Sequence, residues 1–143
     1  MSTRFAMPVA IHIFFVQEDQ ILLLKRSNTG YEDGKYSVVA GHLDGDEEVR
    51  EAAQREAREE AGVEIGLEDV ELTSVMHRKS EEERIDYFAV VEKWSGAIQN
   101  MEPHKCSELS WHALDALPDP MIGYVKEAIG SYRRGERFLS YGF

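Results

Sequence analysis

The 143-residue chain has one cysteine, four prolines, and only 16 Lys and Arg against 27 Asp and Glu. Each shortage excludes something. A lone thiol, Cys106, has no partner for an intrachain disulfide, which removes the stapled scaffolds of small secreted domains and points to a reducing compartment. At a formal net charge of −11, the chain has little to offer a nucleic-acid backbone, whose binding rests on Lys and Arg, so no nucleic-acid partner is expected. No run of 18 apolar residues occurs, and the N-terminus lacks the charged region, apolar core and cleavage site of a leader. No membrane partner is expected, and the protein reads as cytoplasmic. Without repeats, low-complexity tracts or a Pro/Ser-rich linker, residues 1–143 read as a single domain, long enough to bury roughly 70% of its chain surface.

The apolar residues follow a mixed pattern. Runs at 9–16 and 21–25, split by Gln17-Glu18-Asp19-Gln20, predict a hairpin. Residues 27–35, with Asn28, Gly30, Asp33 and Gly34, read as a loop, and 36–40 as a short strand. Strands are expected again over 70–78 and 84–94, joined by a charged turn at 79–83. A loop over 100–107, a strand over 109–113 and a helix over 121–134 complete an α/β pattern.

Residues 41–63 are the most informative segment. From Glu47 to Ala61 there is Ala, Glu, Arg and Gln with no Pro or Gly, so a helix is expected. At about 100° per residue, Val49, Ala52, Ala53, Glu59 and Glu60 all fall within about 60° of Glu56. Arg50, Glu51, Gln54 and Arg58 take the outer side. Three carboxylates therefore share a face with the small apolar residues that dock on the body, whereas an ordinary amphipathic helix turns its glutamates to water. Two carboxylates about 5 Å apart repel by roughly 3 kcal/mol at an effective dielectric near 20. A cation must compensate, or the pKa values must rise. Hard oxygen donors beside a cleft suit Mg²⁺ or Mn²⁺, which keep some waters and share the rest with substrate phosphates. A solvated acidic face or an arginine-paired network is the plainer alternative.

The spacing of Gly41, Glu47, Arg55, Glu56, Glu59, Glu60, Gly62 and Val63 resembles the signature of the Nudix (MutT-like) hydrolases at every fixed position, with Ala57 smaller than the Leu or Ile usual there. The resemblance implies a Nudix-type α/β/α sandwich with a mixed β-sheet, and attack of a metal-activated water on a diphosphate linkage. Carried onto this sequence, it makes Glu56, Glu59 and Glu60 the metal ligands, with Glu59 or Glu60 closest to the water, and the carbonyl of Ala40 a further ligand. Arg55 would pair with Glu47 or with a ligand carboxylate and hold its rotamer. Gly41 and Gly45 would let the loop turn, Asp44 or Asp46 would cap the helix, and Gly62 would end it in a left-handed conformation.

Outside this box (residues 41–63), the resemblance nominates Glu102 as a ligand or base, the alternative being an exposed loop carboxylate. Glu108, three residues before Trp111, is a candidate contact to a purine base. His42, beside the box glycine, is a substrate contact or a solvated loop histidine. His77, Arg78 and His104 could line a cleft, and Lys25 or Arg26 could meet a phosphate. Trp94 and Trp111 read as core or rim aromatics that could stack on a base. Cys106 has no histidine partner placed by sequence for nucleophilic chemistry.

The resemblance thus implies an enzyme, an Mg²⁺-dependent pyrophosphohydrolase acting on a nucleoside diphosphate linked to a group X, with a small phosphorylated nucleotide as partner. The downstream Pro of ADP-ribose enzymes and the Tyr of dinucleoside polyphosphate enzymes are missing from 73–80, and the upstream motif of the coenzyme A group is missing from 25–40. Elimination favours (deoxy)nucleoside triphosphates, oxidised ones included, cut to monophosphate and pyrophosphate. An ADP-ribose or nucleotide-sugar pyrophosphatase is the alternative, as is a non-catalytic nucleotide sensor, although a sensor would tolerate loss of the glutamates kept here. Action on RNA 5′ ends fits the acidic balance poorly, and Cys106 does not sit in the motif context of isopentenyl diphosphate isomerase. The sequence sets neither the number of metals nor the oligomeric state, for which a homodimer is one option.

Overall fold

The computed structural model describes residues 3–143. Strand β1 (Val9–Gln17) organises it. Ile11, Ile13 and Phe15 join one core while Phe14 and Val16 join another, all buried. A strand buried on both faces needs a layer above and a layer below. The helices supply them. Helix α1 (Val49–Glu56), continued by a π-helical turn at Ala57–Ala61, docks on the Ile11 face through Ala52, Ala53, Ala57 and Ala61, each 0% exposed. Four alanines, Ala57 among them, let the helix sit close to the sheet. Helix α2 (Gly123–Arg134) covers the opposite face with Val125, Ala128 and Ile129. The expected α/β/α sandwich is the observed fold.

The sheet is mixed. β1 pairs in parallel with β6 (Glu83–Val91), which pairs antiparallel with β5 (Glu71–Lys79). On its other side β1 divides its pairing. Its C-terminal end forms the predicted hairpin with β2 (Gln20–Arg26), and its N-terminal half pairs with β4 (Val39–His42). β2 carries β7 (Cys106–Ala113) along its length and the two-residue β3 (Tyr36–Ser37) at its far end. β1 and β2 therefore fork, with β4 following one and β3 the other, and Val38 crossing between them. The expected strand over 36–40 is divided for this reason.

Two further expectations needed revision. The helix begins at Val49, and its cap is neither Asp44 nor Asp46. The Glu48 carboxylate accepts from the Arg50 N–H while Glu51 accepts from the Glu48 N–H, a capping box. β8 (Phe138–Tyr141), which lies parallel to β5 at the sheet edge, was not expected, because four residues are too short to display a period. Gly62, at φ 68°, ends the π-turn in the left-handed conformation expected of it.

Candidate active site

The acidic helix delivers its carboxylates through a change of helix type. Glu56, buried, is the last residue of regular helix, and the following turn closes i→i+5 bonds such as Gly62 N–H to Ala57 O. Residues past such a wider turn fall behind the α-helical phase. Ala57 and Ala61 then occupy the docked face and Glu60 stays half-buried behind Glu56. Glu59, expected on the docked face, has a side chain 57% exposed and turns towards Arg55. Counting 100° per residue had assumed α-helix throughout.

Arg55 gathers these groups. Its Nη2 donates to Glu47 Oε1 and to the His42 carbonyl, both at 2.9 Å, and its Nη1 donates to Glu56 Oε1 at 2.7 Å. Both partners named from the sequence are therefore engaged. The Glu47 carboxyl is held below the usual carboxylate range chiefly by the Arg55 bond, and that bond pushes the guanidinium pKa up in turn. Gly41 serves closeness, not a turn. A Cβ placed there would lie 2.0 Å from Glu56 Oε1, so glycine lets β4 pass the carboxylate where it stands. The turn glycine is Gly45, at φ 91°.

The loop before β7 brings Glu102 to the same place. Gln99 and Met101 donate their N–H groups to the carbonyls of Ala61 and Glu60, satisfying the end of the π-turn. Asn100 closes the loop, its Nδ2 donating to Cys106 O at 2.7 Å and its Oδ1 accepting from the Glu102 N–H. Glu60, Glu102 and Ala40 line a cavity of about 350 Å³ in the fork between β1 and β2, together with Lys105 and Cys106. A second cavity, also about 350 Å³, continues on the far side of Ala40 and Gly41, walled by Arg26, Arg78, Arg84, His12 and His42. Arg26, Tyr31, Ala40 and Tyr124 border both.

Other candidates lie elsewhere. Glu108 does not line either cavity. Alternation along β7 sets Glu108 on the face opposite Leu109 and Trp111, and there its Oε2 accepts from Tyr36 OH at 2.8 Å. The expected base contact therefore has no geometric support. His77 pairs with Glu83 and packs on Phe143, His104 is exposed, and Lys25 sits over the Tyr36 ring. Trp94 and Trp111 stack at 6.0 Å against the α1 core. Burial raises the Cys106 thiol pKa, which makes it a poor nucleophile. His42 is exposed at the end of β4, with its Nε2 on Arg84 Nη2. Sequence reasoning missed Arg84, Tyr31, Lys105 and Tyr124. Arg84 was within reach, because a tight turn at 79–83 sets residue 84 opposite Arg78.

The Glu60 carboxyl is pushed far above the usual carboxylate range, first by burial, then by its hydrogen bond with Glu56 and by the charges of Glu56 and Glu102. The site holds more negative charge than it can sustain alone, and oxygen donors of this kind fit Mg²⁺ or Mn²⁺. As placed, the carboxylates are drawn to Arg55 and to one another, and among the described residues no group of three His, Cys, Asp or Glu stands ready around one point.

An acid cluster at the mouth of a forked mixed sheet, between two helical layers, marks a three-layer α/β/α domain with an acidic cleft. The chain belongs to the NUDIX family, whose NUDIX domain model matches residues 6–130. The human 8-oxo-dGDP phosphatase NUDT18 is 27% identical over 135 residues, covering 90% of this chain and 40% of that protein, so the chain spans about two fifths of its length. The MutT NUDIX hydrolase of Burkholderia pseudomallei is 27% identical and superposes with a TM-score of 0.80, covering 88% of this chain and 98% of that one. The E. coli ORF135 protein is 26% identical with a TM-score of 0.66, covering 89% and 91%. Among the described residues no helix is long and apolar enough to cross a membrane.

Proposed function

We propose that this chain hydrolyses the diphosphate linkage of a (deoxy)nucleoside triphosphate, oxidised purines included, with Mg²⁺ or Mn²⁺, giving the monophosphate and pyrophosphate. The observation that carries the reading is that Glu60 and Glu102 line the same cleft with Glu56 beside Glu60, where burial first and then Glu56 and Glu102 raise the proton affinity of Glu60. Glu56, Glu60 and the Ala40 carbonyl would hold the ion from the helix side, and Glu59 from the solvent side. A bound ion supplies neutralisation of the diphosphate and makes water easier to deprotonate. The residues of the chain do the rest. Arg55 fixes Glu56, Glu102 accepts the proton of the attacking water, and Lys105 and Arg26 offer positive charge to the phosphates as the phosphorus–oxygen bond breaks.

The name of the human relative favours a second form of the same chemistry, cleavage of an oxidised purine nucleoside diphosphate to monophosphate and orthophosphate. The test is incubation with Mg²⁺ and a panel of canonical and oxidised nucleoside tri- and diphosphates, ADP-ribose, UDP-sugars and diadenosine polyphosphates, with products separated by ion exchange. Monophosphate with pyrophosphate or orthophosphate supports the reading. Monophosphate with a phosphorylated sugar moves the protein to the nucleotide-sugar branch. Binding without cleavage of any compound makes it a sensor.

A further inference from the structure

The carboxylates account for one half of the cleft only. In a chain of net charge −11, the other half is walled by Arg26, Arg78 and Arg84. Arg78 on β5 and Arg84 on β6 stand directly opposite each other in the antiparallel pair, a placement that like charges make unfavourable. Arg78 is 4% exposed and the Arg84 side chain 17%. One fully buried carboxylate, Asp86, lies between them. Its Oδ2 accepts from Arg78 Nε at 2.7 Å, while its Oδ1 stays 3.9 Å from Arg84 Nε, and among the described residues both of those atoms lack a hydrogen-bond partner. His12, 3.8 Å from Asp86, adds no charge near neutral pH, since burial brings its pKa down to about 4. Glu82 reaches Arg84 only from the exposed turn, at 3.7 Å.

The buried Arg78 and the partly buried Arg84 share this one buried carboxylate, and the other carboxylate on Arg84 is Glu82 in the exposed turn. Among the described residues Arg78 donates through Nε alone, its plane lying 3.6 Å over the Tyr124 ring. A network built only for stability would not bury the Arg84 Nε unbonded, because an unpaired buried charge or donor is destabilising. An anion in the cavity removes the imbalance. The position fits one end of an extended substrate, since Ala40 borders both cavities and Gly41 touches Glu56 on one side and the arginine pocket on the other. A molecule lying across Ala40 and Gly41 sets its scissile linkage at the glutamates and its far end among the arginines.

We propose that the wall formed by Arg26, Arg78 and Arg84 is the receptor for a terminal phosphate beyond the scissile linkage, and that it selects nucleotides whose group X is phosphate over those whose X is a neutral sugar. This assignment of X rests on the reading of the glutamates as a diphosphate-cleaving site. The recognising chemistry, guanidinium forks on phosphate oxygens, is the same whether the terminal phosphate belongs to a triphosphate or a diphosphate.

The experiment measures pyrophosphate and orthophosphate binding by calorimetry, with and without Mg²⁺, in the wild type, Arg84→Gln, Arg84→Lys and Arg26→Gln. Thermal melts establish that each variant is folded, and Arg26→Gln, outside the buried network, serves if Arg84→Gln does not fold. Arg84→Gln and Arg26→Gln are expected to weaken pyrophosphate binding by at least about tenfold, the loss typical of a charged hydrogen bond, with Arg84→Lys retaining most of it. In turnover, Arg84→Gln raises KM for triphosphates more than for a UDP-sugar, so the preference for triphosphates narrows. Unaltered pyrophosphate affinity in the folded glutamine variants overturns the receptor even if triphosphates are cleaved. Pyrophosphate binding through Arg84 in a protein that cleaves nothing keeps the receptor and removes the hydrolase reading instead.

Discussion

Gly41→Ala tests how the glutamate site is assembled. The new methyl carbon would lie 2.0 Å from Glu56 Oε1, 2.1 Å from Cδ and 2.6 Å from Oε2, where ordinary contact begins at 3.4 Å. Something must move by about 1.4 Å. Gly41 is outside the left-handed region, so the backbone accepts alanine without strain and the displacement falls on the carboxylate. That carboxylate cannot retreat without leaving Arg55 Nη1, now at 2.7 Å. A fold penalty of roughly 1–3 kcal/mol is expected from overpacking, which the melt will show as a modest shift. Misplacing a catalytic group by about 1 Å costs on the order of 100-fold in rate. kcat/KM and Mn²⁺ affinity are to be measured for Gly41→Ala, Glu56→Gln and the double variant. If the methyl group acts through Glu56, the double variant is no worse than Glu56→Gln alone. Wild-type kcat/KM in Gly41→Ala, or losses that simply add in the double variant, refutes the reasoning.

Glu60→Gln is expected to lower turnover by at least about 100-fold and, in EDTA, to raise the melting temperature, because it removes a carboxylate that burial and two neighbours disfavour; a lower melting temperature counts against the charge imbalance. Asp86→Ala strands the buried Arg78 guanidinium and should lower stability by about 3–5 kcal/mol in urea titrations, whereas a loss under about 1 kcal/mol would show that Asp86 is not its counter-charge. His12, with its pKa lowered from 6.5 to about 4, contributes stability that is complete above pH 6.5 and is lost as pH falls towards 4, roughly 3 kcal/mol in all; an imidazole NMR resonance titrating near 6.5 contradicts this. Ala57→Leu, which places a larger side chain at a 0% exposed position, should destabilise by about 1–3 kcal/mol, and a stabilised variant would show unused space beneath the helix.

The fold was legible where burial imposes a long period. The hairpin at 17–20, the β5–β6 pair and both helices follow from apolar spacing, and the two-faced burial of β1 makes a three-layer arrangement necessary. What escaped was set by tertiary context. β8 gains its pairing from β5 and not from its own four residues, and β7 starts at Cys106 because Arg26 pairs there. The phase of Glu59 was misjudged because a π-turn leaves no mark in composition.

The site divides in the same way. The glutamates were legible because one helix holds them at fixed spacing, so local geometry brings them together with Arg55. The arginine half comes from β2, β5 and β6, whose residues are separated in sequence and meet only through strand pairing. Its decisive observation, a buried Arg84 Nε without an acceptor, is a statement about a missing partner, and no sequence pattern displays that. A local motif can therefore give a reaction class while the part of the cleft that chooses among substrates stays hidden until the sheet is built. That separation has an energetic basis. The carboxylates repel one another and need a cation, the arginines repel one another and need an anion, and a nucleotide phosphate chain carried by a divalent ion meets both demands at once. Arg26 alone of the three arginines borders both cavities, while Arg78 and Arg84 line only the one beyond Ala40 and Gly41, away from Glu60 and Glu102.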